Sequence, residues 1–296
     1  MTDKADKSRR KVPAPVLMVL TRMGQDKEVL DVRPLPGTGN RSHLVSFADD
    51  RIVVRFDGRE TGGLVDRELE HRHGRLAAQR QLGPEVLFAD IPEGILVTRF
   101  VEGIGFENLP RPYADDSLGR LAVLIASLQT TEGFAGLMDP WQKIALYLHD
   151  AEIVRPDHVD CFGSIWPSLE ALRETTAIDH EDLVPCHVDP VPENILDREQ
   201  GAMLLDWEYA ARSHRLWDLA YFASEASLTS CECVRLLEAF GKGQTIKELR
   251  RWIVVAKAVS FAWCLARRAR ATLDRQVWDQ TLVERRMDLR RCLDMN

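Results

Sequence analysis

Strand-like runs crowd into the first hundred residues and helical spacing takes over the rest, and this switch constrains the fold more than any other feature of the chain. His43–Phe47 and Arg51–Phe56 flank the turn Ala48-Asp49-Asp50 and predict a hairpin. Val86–Ala89 and Ile95–Phe100 predict a second strand pair. Between the pairs, residues 65–82 carry Leu69, Leu76 and Ala77 at helical spacing, and Gly83-Pro84 stops that helix. Residues 16–30 predict an earlier helix, followed by the turn formers Pro34-Leu35-Pro36-Gly37-Thr38-Gly39-Asn40. Beyond Phe100, residues 115–130, 139–150, 215–229, 230–241 and 245–292 predict helices. Leu183–His187, Ile195-Leu196 and Met203–Leu205 are short β-like pieces among them. The expected architecture is α+β: a small β-rich N-terminal lobe over residues 1–100 and a larger, mainly helical lobe over residues 101–296. The hinge is expected near Val101-Glu102-Gly103, and residues 1–11 are expected to be disordered.

Composition narrows the function classes. At 296 residues, 45% hydrophobic and 29% charged, the profile is that of a soluble globular chain. A net charge of −7 speaks against indiscriminate nucleic-acid binding. The longest apolar stretch, Trp252–Ala266, is broken by Lys257, so no membrane insertion is expected. Six cysteines without a spacing pattern fit a reducing, cytoplasmic setting. The basic run Arg9-Arg10-Lys11 before Val12–Leu20 imitates a secretory leader, but Pro13 and Pro15 interrupt it, and a first helix opening near Pro15 is expected instead.

The chemistry concentrates in His187-Val188-Asp189-Pro190-Val191-Pro192-Glu193-Asn194, followed by Leu204-Leu205-Asp206-Trp207-Glu208. This is H-x-D-x-x-x-x-N with a second Asp placed a dozen residues later, after an apolar strand. Phosphoryl transfer needs these groups: one carboxylate beside the attacking hydroxyl, and an amide with a second carboxylate to hold Mg²⁺ against the phosphates. Pro190 and Pro192 stiffen the loop. The first lobe offers complements. Gly37 and Gly39 let a backbone turn approach phosphate and Asn40 adds a polar side chain. Arg55, alone in the apolar strand Ile52-Val53-Val54-Arg55-Phe56, needs a partner, and Glu68 and Glu70 on the next helix are candidates.

HVDPVPEN and LDWEYA, with Leu216-Trp217-Asp218-Leu219-Ala220 and then Glu225, resemble the bacterial choline/ethanolamine kinases of the aminoglycoside-phosphotransferase superfamily. VVRF with Arg55, and Asp66-Arg67-Glu68-Leu69-Glu70 before Gly83-Pro84, extend the resemblance over roughly residues 30–290. It implies a bilobal, protein-kinase-like fold and an ATP- and Mg²⁺-dependent phosphotransferase acting on the hydroxyl of a small amino-alcohol, choline or ethanolamine. Asp189 is then the catalytic base, and Asn194 and Asp206 bind Mg²⁺. Glu208 joins a second metal or positions substrate. Arg55, paired to Glu70, grips the phosphates under the Gly37, Gly39 and Asn40 turn, with the ATP base near Val101. Asp218 braces the catalytic loop, His187 is structural, and Glu225 faces a cationic head group. Trp263 matches the second of two tryptophans that eukaryotic choline kinases carry three apart, Ser260 stands where the first would be, and Trp278 is the candidate to complete an aromatic box.

Three readings stay open at this point. The acceptor is an amino-alcohol; or it is an aminoglycoside, thiamine or another small molecule; or the chain binds nucleotide as a non-catalytic regulator. Oligomeric state is not legible. His71-x-His73 reads as a solvated helix face, and Cys231-x-Cys233 as buried helix packing. The 12 Lys/Arg against 6 Asp/Glu in residues 247–296 read as arginines paired with acidic neighbours.

Overall fold

A computed structural model describes residues 12–36, 40–58, 65–154, 160–271 and 275–294. The described residues divide into two compact units. One runs up to Gly103 and includes Met203–Tyr209; the other comprises Ile104–Ala202 and the described residues from Ala210 onward.

The first unit is built on a five-stranded antiparallel sheet in the order β1 (Asp31–Leu35), β2 (Arg41–Ser46), β3 (Arg51–Phe56), β5 (Ile95–Arg99), β4 (Val86–Asp90). Ile52, Val54 and Phe56 alternate onto one face of β3 and are buried with Val45, Ile95 and Val97. Helix α1 (Ala14–Arg22) adds Val16, Val19 and Leu20, at helical spacing, to the same core. Thus the apolar segment that imitated a leader is the helix that covers this sheet. Helix α2 (Arg67–Gln79) follows β3; the Asp66 side chain caps it by accepting from the N–H groups of Glu68 and Leu69.

Two expectations change here. The helix expected over 16–30 ends at Arg22, because Gly24 turns the chain with φ +64°. Pro34 and Leu35, read as turn residues, lie instead in β1. That strand is at the edge of the sheet, where a proline's missing N–H costs no ladder bond.

The second unit is mainly helical. Strand β6 (Ile104–Gly105) pairs with β8 (Ile195–Asp197), and β7 (Leu183–Cys186) with β10 (Ala211–His214), a strand the sequence pattern did not reveal. The helices are α3 (Asp115–Leu128), α4 (Pro140–Val154), α5 (Asp160–Gly163), α6 (Trp166–Arg173), α7 (Trp217–Glu225), α8 (Ser230–Phe240), α9 (Ile246–Arg270) and α10 (Arg275–Asp294). Capping boxes, Thr229 with Glu232 and Thr245 with Glu248, start α8 and α9, and Gly241 at φ +67° ends α8. Helix α9 is buried along most of its length, with Val255, Ala258, Phe261 and Ala262 in the core, and packs on α4, α7 and α10. The single helix expected over 245–292 is therefore two. Ala271 is extended, and α10 packs on α9, with Arg268 bonded to Asp279. Among the described residues no helix is long and apolar enough to cross a membrane.

Strand β9 (Met203–Leu204) and the turn after it, expected in the larger lobe, cluster with the first unit. The Leu204 N–H donates to the Leu82 carbonyl at 2.9 Å, and Asp206 and Glu208 bond to arginines of β3 and α2.

Candidate functional site

In the second unit, the loop between β7 and β8 carries Asp189 and Asn194. Its shape is enforced at both ends. Val188 sits at φ +75°, a region that costs a β-branched residue of order 1–3 kcal/mol unless its surroundings fix it. They do so here. The fully buried Asp218, from α7, accepts the N–H groups of His187 (2.8 Å) and Val188 (2.9 Å), and Trp217 Nε1 donates to the Val188 carbonyl at 2.9 Å. At the far end, Asp197 accepts two bonds from the Arg120 fork (2.5 and 2.7 Å) and one from Ser117 (2.8 Å), tying β8 to α3. Within the loop, Asn194 Nδ2 donates to the Asp189 carbonyl at 3.0 Å and approaches its carboxylate at 3.4 Å. The buried His187 lies inside this brace, and Asp189 itself is half-buried.

Two residues of α4, one helical turn apart, face Asp189: Lys143, whose ammonium lies 5.2 Å from the Tyr147 ring, and Tyr147 itself. Burial lowers the Lys143 pKa against the pull of Asp189. Burial together with Asp189 and Asp150 raises Tyr147. Sequence reasoning missed both, and it missed Asp197. Their i, i+4 spacing on one helix was the available signal for the α4 pair.

Burial lifts Asp218 to about 7, against the two N–H bonds that favour its charged form. A carboxyl raised in the fold contributes stability that is complete below its ordinary value of 3.8 and is lost as pH rises through about 7. Asp218→Asn cannot ionise. The stability of the wild type relative to this variant should therefore fall between pH 5 and pH 8, as measured by urea unfolding. Equal differences at both pH values would contradict it. Asp218→Ala orphans two buried N–H groups and should cost about 2–4 kcal/mol at pH 5, a cost that shrinks toward pH 8 as it does for the Asn variant.

In the first unit, Arg55 projects from the central strand β3 and is nearly buried. It forms an ion pair with the buried Glu70 of α2 and donates to Asp206 at 2.8 Å. Glu68, the other candidate partner, is exposed. Arg67, which sequence reasoning did not single out, is a second hub. Its guanidinium donates to Asp57 (3.0 Å), Glu70 (2.7 Å) and Glu208 (3.0 Å), and Glu208 also accepts from Asn40 (3.0 Å). One oxygen each from Glu70, Asp206 and Glu208 lies within 4.8 Å of the others, the one such cluster of acidic, His or Cys groups among the described residues. Asp206 stands at φ +60°, which Asp tolerates better than most residues, with its side chain 33% exposed. Crowding by Glu208 and Glu70 adds to burial and raises Asp206 to about 7, although Arg55 and Arg67 oppose it.

Three hard oxygen donors suit a small divalent cation such as Mg²⁺, so this donor set fits one, with Glu70 added to the expected Asp206 and Glu208. Asn194, the third expected ligand, belongs to the second unit. Gly37 and Gly39 lie outside the described residues. Val101 is half-buried, two residues beyond β5.

On the acceptor side, Glu225 ends α7 and is held by a fork from Arg285 of α10 (2.8 and 2.8 Å), with Ser260 donating at 2.8 Å. Burial pushes its pKa up, but the Arg285 bonds and charge and the Ser260 bond outweigh burial and hold it below the ordinary range. Trp263 and Trp278 meet edge to face at 5.7 Å.

The remaining motifs are absorbed by packing. His73 is buried in the fold, not solvated as expected, because its face of α2 points inward; His71 is half-buried. Cys233 is buried, whereas Cys231 is exposed on the outer face of α8, and neither is disulfide-bonded. Lys257 pairs with Asp288, Arg268 with Asp279 and Arg270 with Asp150, so much of the C-terminal basic charge is internally matched.

The chain is 28% identical over 188 residues to ethanolamine kinase 2 of Mus musculus, covering 60% of this chain and 47% of that protein. It is 23% identical over 210 residues to protein LicA of Haemophilus influenzae, covering 69% of this chain and 60% of that protein. The chain thus spans about half to three-fifths of the length of these two relatives. The choline kinase LicA of Streptococcus pneumoniae shares the fold, with a TM-score of 0.79 at 22% identity over 96% of this chain and 100% of that one. The phosphotransferase enzyme family profile matches residues 31–253, three quarters of the sequence, and the chain belongs to that family.

Proposed function

We propose that this protein is a small-molecule kinase that transfers the terminal phosphoryl group of ATP, with Mg²⁺, to the hydroxyl of a small amino-alcohol of the choline/ethanolamine type. The observation that carries this reading is the doubly braced loop: Asp218 and Asp197 fix it at its two ends and so hold Asp189 and Asn194 in one arrangement. Relatives named as choline and ethanolamine kinases support the acceptor class.

In this mechanism Asp189 orients the acceptor hydroxyl and takes its proton as the oxygen attacks. Arg55 is charged and nearly buried, and its Nε finds no acceptor among the described residues. It grips phosphate oxygens bidentately, with Asn40 on the same unit and the adenine near Val101. When bound, Mg²⁺ supplies positive charge that offsets the phosphates; Asp206 and Glu208, with Glu70 beside them, would hold it. Arg67 keeps Glu70 and Glu208 in place. Most of the acceleration comes from positioning and fixed charge, because phosphoryl transfer asks little covalent chemistry of the protein.

The test is ADP release from MgATP across a panel of choline, ethanolamine, thiamine and an aminoglycoside. Release that depends on choline or ethanolamine is expected. Release with thiamine or the aminoglycoside alone would move the protein to another acceptor class. Tight MgATP binding without turnover of any acceptor would make it a nucleotide-binding regulator.

A further inference from the structure

The places in the second unit where an acceptor's cationic head would be sought already hold arginines. Glu225 is forked by Arg285 at 2.8 and 2.8 Å. The Trp263 ring has the Arg267 guanidinium 5.9 Å from its centroid, and the Tyr113 ring has Arg111 at 4.2 Å. Glu225, Arg285, Tyr113 and Arg111 line one cavity of about 330 Å³, together with Pro192 and Glu193 of the catalytic loop. Ser260, in place of an aromatic face, spends its hydroxyl on Glu225.

A quaternary ammonium has no N–H. It is held by uncompensated negative charge and by open aromatic faces. Of the carboxylates lining this cavity, Glu107 and Glu193 are exposed and screened by solvent, and the buried Glu225 is neutralised by Arg285; the Trp263 and Tyr113 rings already face guanidinium groups. A carboxylate offers about four lone-pair positions. Glu225 uses two on Oε1, for Arg285 and Ser260, and one on Oε2, for Arg285, which leaves one position on Oε2. An ammonium that bears hydrogen can donate to it; a trimethylammonium cannot.

From this we infer that Arg285 is a specificity-determining residue and that the acceptor is an amino-alcohol whose nitrogen carries at least one hydrogen, with choline disfavoured. The inference rests on the amino-alcohol kinase reading above.

The experiment measures kcat/KM with MgATP for ethanolamine, its N-methyl and N,N-dimethyl derivatives, and choline. The first three keep an N–H when protonated, so the fall should concentrate at the last methylation and reach about 10-fold or more, the worth of one charge-assisted hydrogen bond. A steric effect would instead spread across the series. Arg285→Met frees Glu225 and should shrink the final step by about 10-fold, with the KM for ATP unchanged. Arg285→Lys retains a cation and should retain the step. Equal use of choline and the dimethyl compound by the wild type would overturn the inference, as would an unchanged step in a folded Arg285→Met protein. If that variant does not fold, the wild-type series decides alone. If the whole series is inert while another acceptor class is phosphorylated, the kinase acceptor reading falls and this inference with it.

Discussion

Asp189→Asn is expected to lower kcat by about 100-fold or more while nucleotide affinity stays near that of the wild type. The substitution keeps the side chain's size and its place in the loop, so the brace from Asp218 and the Asn194 bond to the Asp189 carbonyl survive. What it removes is the charge and basicity that take up the acceptor's proton. The α4 groups opposite respond to that charge: Asp189 opposes the lowering of Lys143 by burial and adds to the raising of Tyr147, so removing it should lower both. Single-turnover kinetics with ATP binding measured in parallel check this. Near-normal turnover in the variant would remove Asp189 from the mechanism, and a matching loss of nucleotide affinity would show that the loop had collapsed.

Asp206→Ala is expected to abolish the Mg²⁺ dependence of nucleotide binding, with a loss of at least about 100-fold in Mg²⁺ affinity. Asp206 is the cluster's most accessible carboxylate, and its pKa is raised by burial first and then by the like charges of Glu208 and Glu70, with the Arg55 and Arg67 guanidiniums opposing both. A divalent cation would relieve that crowding. Alanine is a poor occupant of φ +60°, so Asp206→Asn, which tolerates the turn, separates loss of the ligand from loss of the backbone geometry. Nucleotide affinity titrated at several Mg²⁺ concentrations reads the outcome. An unchanged titration in a folded Asn variant would take Asp206 out of the metal site.

Particular residues show how far the sequence reaches. The β3 strand and the existence of the α2 helix follow from alternation and from helical spacing before Gly83-Pro84, although the helix ends at Gln79, short of the expected 82. The loop from His187 to Asn194 announces itself through its prolines and the fixed gap between Asp and Asn. The fold class was legible for the same reason: strand-like and helix-like spacing occupy different stretches of chain. Strand β10 was not, because Ala211–His214 is polar and short and owes its shape to pairing with β7. The hub role of Arg67 was hidden because DRELE reads equally well as a solvated helix start. The role of Arg285 was hidden because nothing in α10 points to α7.

The sequence by itself determined the split between a β-rich and a helical stretch, most of the elements in each, and the residue types of the catalytic loop, since these depend on neighbours within a few positions. Only the tertiary structure decided that Asp206 meets Arg55, 151 positions away, that Met203–Tyr209 clusters with the β-rich unit, and that Arg285 neutralises Glu225 across 60 positions. Spacing rules end at the next helical turn or the adjoining strand. A long-range ion pair is fixed by how whole elements pack, and by the cost of leaving any one of these buried charges alone.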